Sequence, residues 1–224
     1  MKRTIDFFIS FFGLVFLFPL FMIIGILIKV DSTGPIFFLQ DRVGYKSIIF
    51  KIIKFRTMYI DSEKTGELTS YNDIRITNFG SLLRRYKIDE LPQLINVLVG
   101  EISLVGPRPN VKSEVDSYTD VEKKLLTIKP GITDFSSIVF SNENKILKDK
   151  KDIYLVYNQF IKPWKSKLSL IYIKHQSIML DLEIIIYTLV ALISKRLALK
   201  WVVKKLEKFK VDQKIVDIVK KYEF

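Results

Sequence analysis

Residues 84–109 read RRYKIDELPQLINVLVGEISLVGPRP, and this stretch carries a structural and a chemical signature together. Pro92 falls in the first turn of a predicted helix, where its missing N–H costs nothing. Gly100 supplies the stop, and Asp89 or Ile88 would cap the start. The apolar run Ile102–Val105 reads as a strand leading into Gly106 and the stiff Pro107-Arg108-Pro109. Chemically, Arg84, Arg85 and Lys87 crowd two adjacent carboxylates, Asp89 and Glu90.

A carboxylate at a helix N-terminus feels the positive end of the dipole and stays ionised. Neighbouring cations are expected to lower the pKa of Asp89 further. An ionised carboxylate can act as a nucleophile toward phosphorus. Repulsion from an anionic diphosphate must then be offset, by arginine through bidentate contacts and by Mg²⁺. Arg108, set between two residues of fixed φ, is displayed from a stiff backbone. Each feature also has a plain reading. Asp-Glu before proline is commonly only a helix cap, Arg108 a surface turn, and Gln40, Arg42, Lys54 and Arg56 solvated strand ends.

Outward from this stretch, Asp31–Pro35 is a turn cluster. Ile36–Leu39 and Ile48–Phe55 read as strands, the first ending in Gln40–Gly44. Residues 60–72 read as a polar loop, with a local Asp73–Arg75 salt bridge after it. Asn78–Tyr86 reads as a short helix with Leu82 and Leu83 facing the core. Downstream, Val111–Leu126 is predicted helical, and Lys129–Ile132 turns into a further extended piece. Tyr154–Ile178 is predicted helical with a break near Pro163 and a structural His175 in mid-helix. Leu182–Phe209 is predicted to be one helix that turns from apolar to basic.

The chain has 224 residues and no cysteine, which excludes disulfides, a thiol nucleophile and a zinc–thiolate centre. One histidine excludes clustered His metal sites and argues against a Ser-His-Asp triad. Net charge is +12, and residues 195–224 hold ten Lys/Arg against four Asp/Glu. Nucleic acid, acidic lipid or phosphorylated substrates would all suit such a chain. The 22 uncharged residues from Phe7 to Ile28 favour lipid over nucleic acid. As a helix they reach roughly 33 Å, enough for a bilayer core of about 30 Å. Both flanks are basic (Lys2 and Arg3, then Lys29), which would hold both ends on one face. A helix bent at Pro19 that enters and leaves one leaflet meets that condition, and a spanning helix meets the hydropathy. The tail suits either an anionic membrane surface or a solvated helix packed on the domain.

The ordered set Ser32-Thr33-Gly34-Pro35, Gln40-Asp41-Arg42-Val43-Gly44, Lys54-Phe55-Arg56-Thr57-Met58, Asp73-Ile74-Arg75, Leu83-Arg84, Asp89-Glu90-Leu91-Pro92-Gln93-Leu94, Asn96-Val97-Leu98, Ser103–Pro109 and Lys129–Thr133 resembles the bacterial sugar transferases, the monotopic phosphoglycosyl transferases. The resemblance runs from about Lys2 to Leu189. It implies an α/β fold, mostly α with a small sheet: a compact catalytic domain (31–194), a proline-bent re-entrant helix (1–30) and amphipathic interfacial helices, here with a basic tail (195–224). It implies a bacterial inner-membrane enzyme facing the cytoplasm. The donor would be a UDP-sugar, the acceptor a polyprenyl (undecaprenyl) phosphate, the cofactor Mg²⁺ on Asp89 and Glu90; nucleic acid is no partner, and a homo-oligomer is admissible. Asp89 would attack the β-phosphate and Glu90 assist metal or proton chemistry. Lys54, Arg84 and Arg108 would hold phosphate or nucleotide, with Gln40, Arg42, Arg56, Pro107 and Pro109 lining the substrate. The chain departs from the family pattern at Phe18, often serine there, and at Asp134–Val139. Two other classes stay open: a non-catalytic nucleotide-sugar-binding scaffold, and an anionic-lipid-binding surface protein driven by the tail.

Overall fold

The computed structural model describes residues 1–60, 73–147 and 152–222, so the predicted loop at 60–72 lies, after Ile60, outside the described residues. Helix α1 runs from Lys2 to Asp31 without interruption, with Pro19 inside it. Asp6, Ser10, Ile24, Gly25 and Ile28 form its buried face. The opposite side is apolar and open, with Phe16 85% and Phe12 62% exposed. Among the described residues, α1 is the one helix long and apolar enough to cross a membrane.

Both ends of α1 are fastened to the same domain. Lys2 Nζ donates to Val105 O at 2.9 Å and Asp181 Oδ2 at 2.6 Å. Asp6 accepts from Ser103 Oγ at 2.8 Å and Leu104 N at 3.2 Å. At the other end, Asp31 accepts from Phe79 N at 3.2 Å, and Phe21 packs edge-on against Phe55.

Strands β1 (Phe37–Val43) and β2 (Ile49–Phe55) form an antiparallel hairpin with Phe37 opposite Phe55 and Val43 opposite Ile49. Gln40, Asp41 and Arg42, expected past the strand, lie within β1. Helix α2 (Asn78–Arg85) starts on Thr77, whose side chain accepts from Gly80 N. Its Leu83 joins Phe55, Ile24 and Ile28 in a small core under α1. Leu82, also expected inside, is 47% exposed. Adjacent helical positions point about 100° apart, and this shallow core takes one of them.

Helix α3 (Gln93–Val99) ends as predicted at Gly100, which adopts φ +91°. Strands β3 (Ser103–Val105) and β4 (Gly131–Thr133) pair in parallel. A Cβ on Gly131 would sit 2.1 Å from Gly106 N, so this crossing of backbones requires glycine. Between them the predicted helix 111–126 is two pieces: α4 (Lys112–Val115) and a 3-10 segment, Glu122–Thr127. Thr119 and Glu122 exchange backbone and side-chain hydrogen bonds, a capping box that starts a new segment instead of continuing the first.

The rest is helical: α5 (Phe135–Val139), α6 (Glu143–Ile146), α7 (Ile153–Val156), a π-helical turn (Tyr157–Ile161) and α8 (Lys162–His175). Then come α9 (Ile178–Ile193), α10 (Lys195–Lys208) and α11 (Gln213–Lys221). The break expected near Pro163 is the π-helical turn that ends at Ile161, and Pro163 itself sits in the first turn of α8, where proline fits. The chain also breaks after His175, which ends α8 and stacks on Phe209 at 4.0 Å. The predicted helix 182–209 is divided at Ser194, whose hydroxyl accepts from Leu197 N and caps α10.

The main core gathers Val97, Ile102, Phe135, Ile138, Leu168 and Tyr172 with Ala198, Leu199, Val202 and Leu206 of α10. The apolar face of α10 is thus spent inside the domain rather than offered to lipid. The architecture is mostly α with little sheet, as expected; among the described residues the sheet is two two-stranded pieces.

Candidate active site

The site sits where α2 hands over to α3. Lys87 adopts φ +58° and turns the chain out of α2. Ile88–Glu90 form a 3-10 turn, and Pro92 is the N-cap of α3. The expectation that Asp89 or Ile88 caps α3 fails: the 3-10 turn intervenes, and no side chain caps the helix. The turn carries Asp89 inward, 7% exposed, and its Oδ1 has no hydrogen-bond partner among the described residues.

Glu90 is fully engaged. Lys54 Nζ, from the end of β2, donates to Oε1 at 2.9 Å. Arg108 donates NH1 to Oε2 at 3.0 Å and NH2 to Oε1. Two backbone bonds hold the arginine's loop on β4: Gly106 N to Thr133 O at 3.0 Å and Gly131 N to Pro107 O at 2.9 Å. Asn96, fully buried, ties α3 to β2 by accepting from Ile53 N and donating to Lys51 O. That tie sets Lys54 against the turn. An amide one turn inside an apolar helix was the signal for this role.

Electrostatics separate the two carboxylates. Burial and then the adjacent Glu90 push Asp89 above its ordinary value, against the opposing pull of Lys54, Arg84 and Lys87. The lowering expected for Asp89 is therefore reversed, because desolvation outweighs the cations and α3 starts beyond it. Burial acts on Glu90 as well, but Arg108 and Lys54 outweigh it and hold Glu90 well below the usual range. Lys54 is itself lowered by burial, and Arg108 is raised by Glu90.

Of the basic trio, Arg84 and Lys87 act on the pair, whereas Arg85 lies over the Tyr86 ring at 5.7 Å. Arg84 also feels Asp73, which pairs with Arg75 at 2.6 Å as the sequence suggested. Arg56 is elsewhere: its guanidinium donates to the carbonyls of Ser32, Thr33 and Pro35 and clamps that turn. Gln40 accepts from Arg42 NH2 at 2.5 Å, and Arg42 NH1 reaches Pro109 O at 3.4 Å. These two brace the loop of Arg108 from β1, as does the backbone bridge between Val43 and Asn110. Pro19 is on exposed α1, away from the pair.

No group of three or more His, Asp or Glu side chains gathers among the described residues. The expected Mg²⁺ pair also divides: Lys54 and Arg108 occupy both Glu90 oxygens, while Asp89 Oδ1 is open. One carboxylate oxygen suits Mg²⁺, which binds through one or two carboxylates and completes its shell with substrate phosphates and water.

Residues beyond the sequence reading appear on the far side of Arg108. A cleft is lined there by Glu114, Tyr157, Lys162, Lys165 and the serines of α8. They come from segments separated by tens of residues, with no shared motif to join them.

A family model described as bacterial sugar transferase matches residues 1–195. The chain belongs to the bacterial sugar transferase family. Among its relatives, an undecaprenyl-phosphate glucose phosphotransferase of Komagataeibacter xylinus is 36% identical over 200 residues, 84% of this chain and 35% of that protein. A UDP-glucose:undecaprenyl-phosphate glucose-1-phosphate transferase of Xanthomonas campestris pv. campestris is 35% identical, over 88% of this chain and 40% of that protein. A UDP-N-acetylgalactosamine-undecaprenyl-phosphate N-acetylgalactosaminephosphotransferase of Aeromonas hydrophila is 35% identical, over 70% of this chain and 39% of that protein. This sugar transferase thus spans about two fifths of the length of these relatives.

Proposed function

We propose that this sugar transferase moves a sugar 1-phosphate from a UDP-sugar to a polyprenyl phosphate, with Asp89 as nucleophile. The supporting observation is the asymmetry of the pair: a buried carboxylate with a free oxygen beside one locked by two cations. Desolvation makes the Asp89 carboxylate more basic and so a stronger nucleophile, and Lys54, Arg84 and Lys87 favour its anionic form. An Asp89 oxygen attacks the β-phosphorus. The bond from that phosphorus to the bridging oxygen breaks, and UMP leaves with the electron pair. The sugar phosphate stays esterified to the carboxylate until an oxygen of the polyprenyl phosphate attacks the same phosphorus and frees Asp89. Glu90 orients Arg108 and Lys54 toward the diphosphate. Mg²⁺ on Asp89 would neutralise diphosphate charge.

The apolar, exposed side of α1 supports work at a membrane, where a lipid acceptor is found. Both ends of α1 are tied to one domain, which favours a helix that enters and leaves the cytoplasmic leaflet of the inner membrane over one that spans it. The setting would be the first membrane step of surface-glycan synthesis. Quenching donor-loaded protein and reading its intact mass tests the chemistry: a phosphosugar adduct is expected on the wild-type chain and absent from Asp89→Asn. Lipid product formed without any adduct would refute the nucleophile. For topology, a cysteine placed at residue 2 should resist an impermeant thiol reagent in intact cells, and labelling from outside would mean a spanning helix.

A further inference from the structure

Arg108 has two faces. One grips Glu90, and the other walls the cleft whose remaining sides come from α4, α5, α8 and the π-helical turn. Neither α1 nor α3 lines it.

Glu114 is its acidic group. Asn110 Nδ2 donates to Oε1 at 2.9 Å and Tyr157 OH to the same oxygen at 3.5 Å. Asn110 is fixed in turn by Tyr118 OH at 2.8 Å. Among the described residues nothing donates to Glu114 Oε2, so a rigidly held carboxylate keeps one acceptor for a ligand. Lys162, which also donates to Ser117 Oγ at 2.8 Å, and Lys165, which is paired with Glu143, stand near enough to pull on its charge. The serines of the floor are also fixed: fully buried Asp134 accepts from Ser136 Oγ at 2.7 Å and from Ser169 Oγ.

We propose that this cleft receives the glycosyl ring of the nucleoside diphosphate sugar, with Glu114 accepting from a ring hydroxyl and Lys162 and Lys165 donating at the rim. The inference rests on the donor class proposed above. A carboxylate acceptor, ammonium donors and fixed hydroxyls match a polyhydroxylated ring. A nucleobase would call for a flat apolar face, yet the Tyr157 ring is already covered by Lys165 at 5.3 Å. Arg108 links the two sites: phosphorus delivered to Asp89 brings its sugar oxygen to the arginine that borders the cleft. A site built to bond a hydroxyl discriminates strongly against donors that misplace it.

The test uses the full chain in nanodiscs. Affinities for UDP-glucose, UDP-galactose and their two N-acetylated counterparts are measured beside that for UMP, and UMP release is followed with each donor. The wild-type protein should bind its best donor at least about tenfold tighter than its worst. Glu114→Gln should shrink that spread to under about threefold with UMP affinity kept within about twofold, and Lys162→Met, at the half-buried rim, should shift the same ratios. An unchanged spread in both variants overturns the assignment. So does an equal loss across all donors and UMP together, which would put the nucleotide in the cleft. Absence of UMP release from every donor in the wild-type protein would instead sink the reading of Asp89, and the binding ratios would still judge the cleft.

Discussion

Glu90 and Glu114 lie on opposite sides of Arg108, both drawn out of water, and they meet opposite electrostatics. Glu90 takes a two-pronged guanidinium and an ammonium in direct contact and falls well below the ordinary carboxylate range. Among the described residues Glu114 is bonded only by an amide and a phenol, so burial prevails over the more distant lysines and it rises. Asp89, next to Glu90 in sequence, behaves like Glu114. What decides the state of a buried carboxylate here is a bonded cation, not the number of cations nearby.

Three outcomes would break or sharpen that contrast. The largest concerns turnover: Asp89→Asn should lower UMP release by about 10³-fold or more, since an amide cannot replace the anionic nucleophile. Residual turnover within tenfold of wild type would end the role assigned to it.

Next in size is the loss of the bonded anion. Glu90→Gln strands Lys54 and Arg108 and should cost about 3 kcal/mol, near the low end for a broken buried pair because Arg108 is one-third exposed. That corresponds to a fall in Tm on the order of 10 °C at pH 7. The sign follows from linkage. Glu90 is lowered when folded, so its stabilisation is present above its ordinary 4.5 and is lost as pH falls through the folded value. The gap between variant and wild type should therefore close in acid; a gap that stays constant would contradict the assignment.

The smallest effect has the opposite sign. Asp89 is raised when folded, so the folded chain binds the extra proton above the ordinary 3.8 and pays for the charge as pH rises. Asp89→Asn should raise Tm by about 2–4 °C at pH 7 and by nothing below about pH 3.8, in differential scanning fluorimetry across pH. A lowered Tm at pH 7 would show that Asp89 is held by contacts like those of Glu90.

The parts of the fold written in short-range code were legible in advance. Pro92 and Gly100 bracket α3, Asn78 opens α2, and short apolar, β-branched runs mark the hairpin. Errors fell where local signals compete: the capping box at Thr119 and the hydroxyl of Ser194 each cut what hydropathy alone draws as one helix. The pair Asp89-Glu90 was named from the sequence with Arg84, Arg85 and Lys87 as its cations, and Lys54 and Arg108 were named through the family resemblance as holding phosphate or nucleotide; the structure puts these last two on Glu90 instead. Arg56 was named beside them, and the structure commits it to the Ser32–Pro35 turn.

By itself the sequence determined which side chains can do phosphate chemistry and that α1 is apolar enough for lipid, because residue type and spacing are properties of the chain. Only the tertiary structure decided which carboxylate keeps an open oxygen, which arginine faces the pair, and that Glu114, Tyr157 and Lys165 meet across one cleft. Those outcomes depend on desolvation and on contacts between residues far apart in the chain, and neither exists until the core has closed around them.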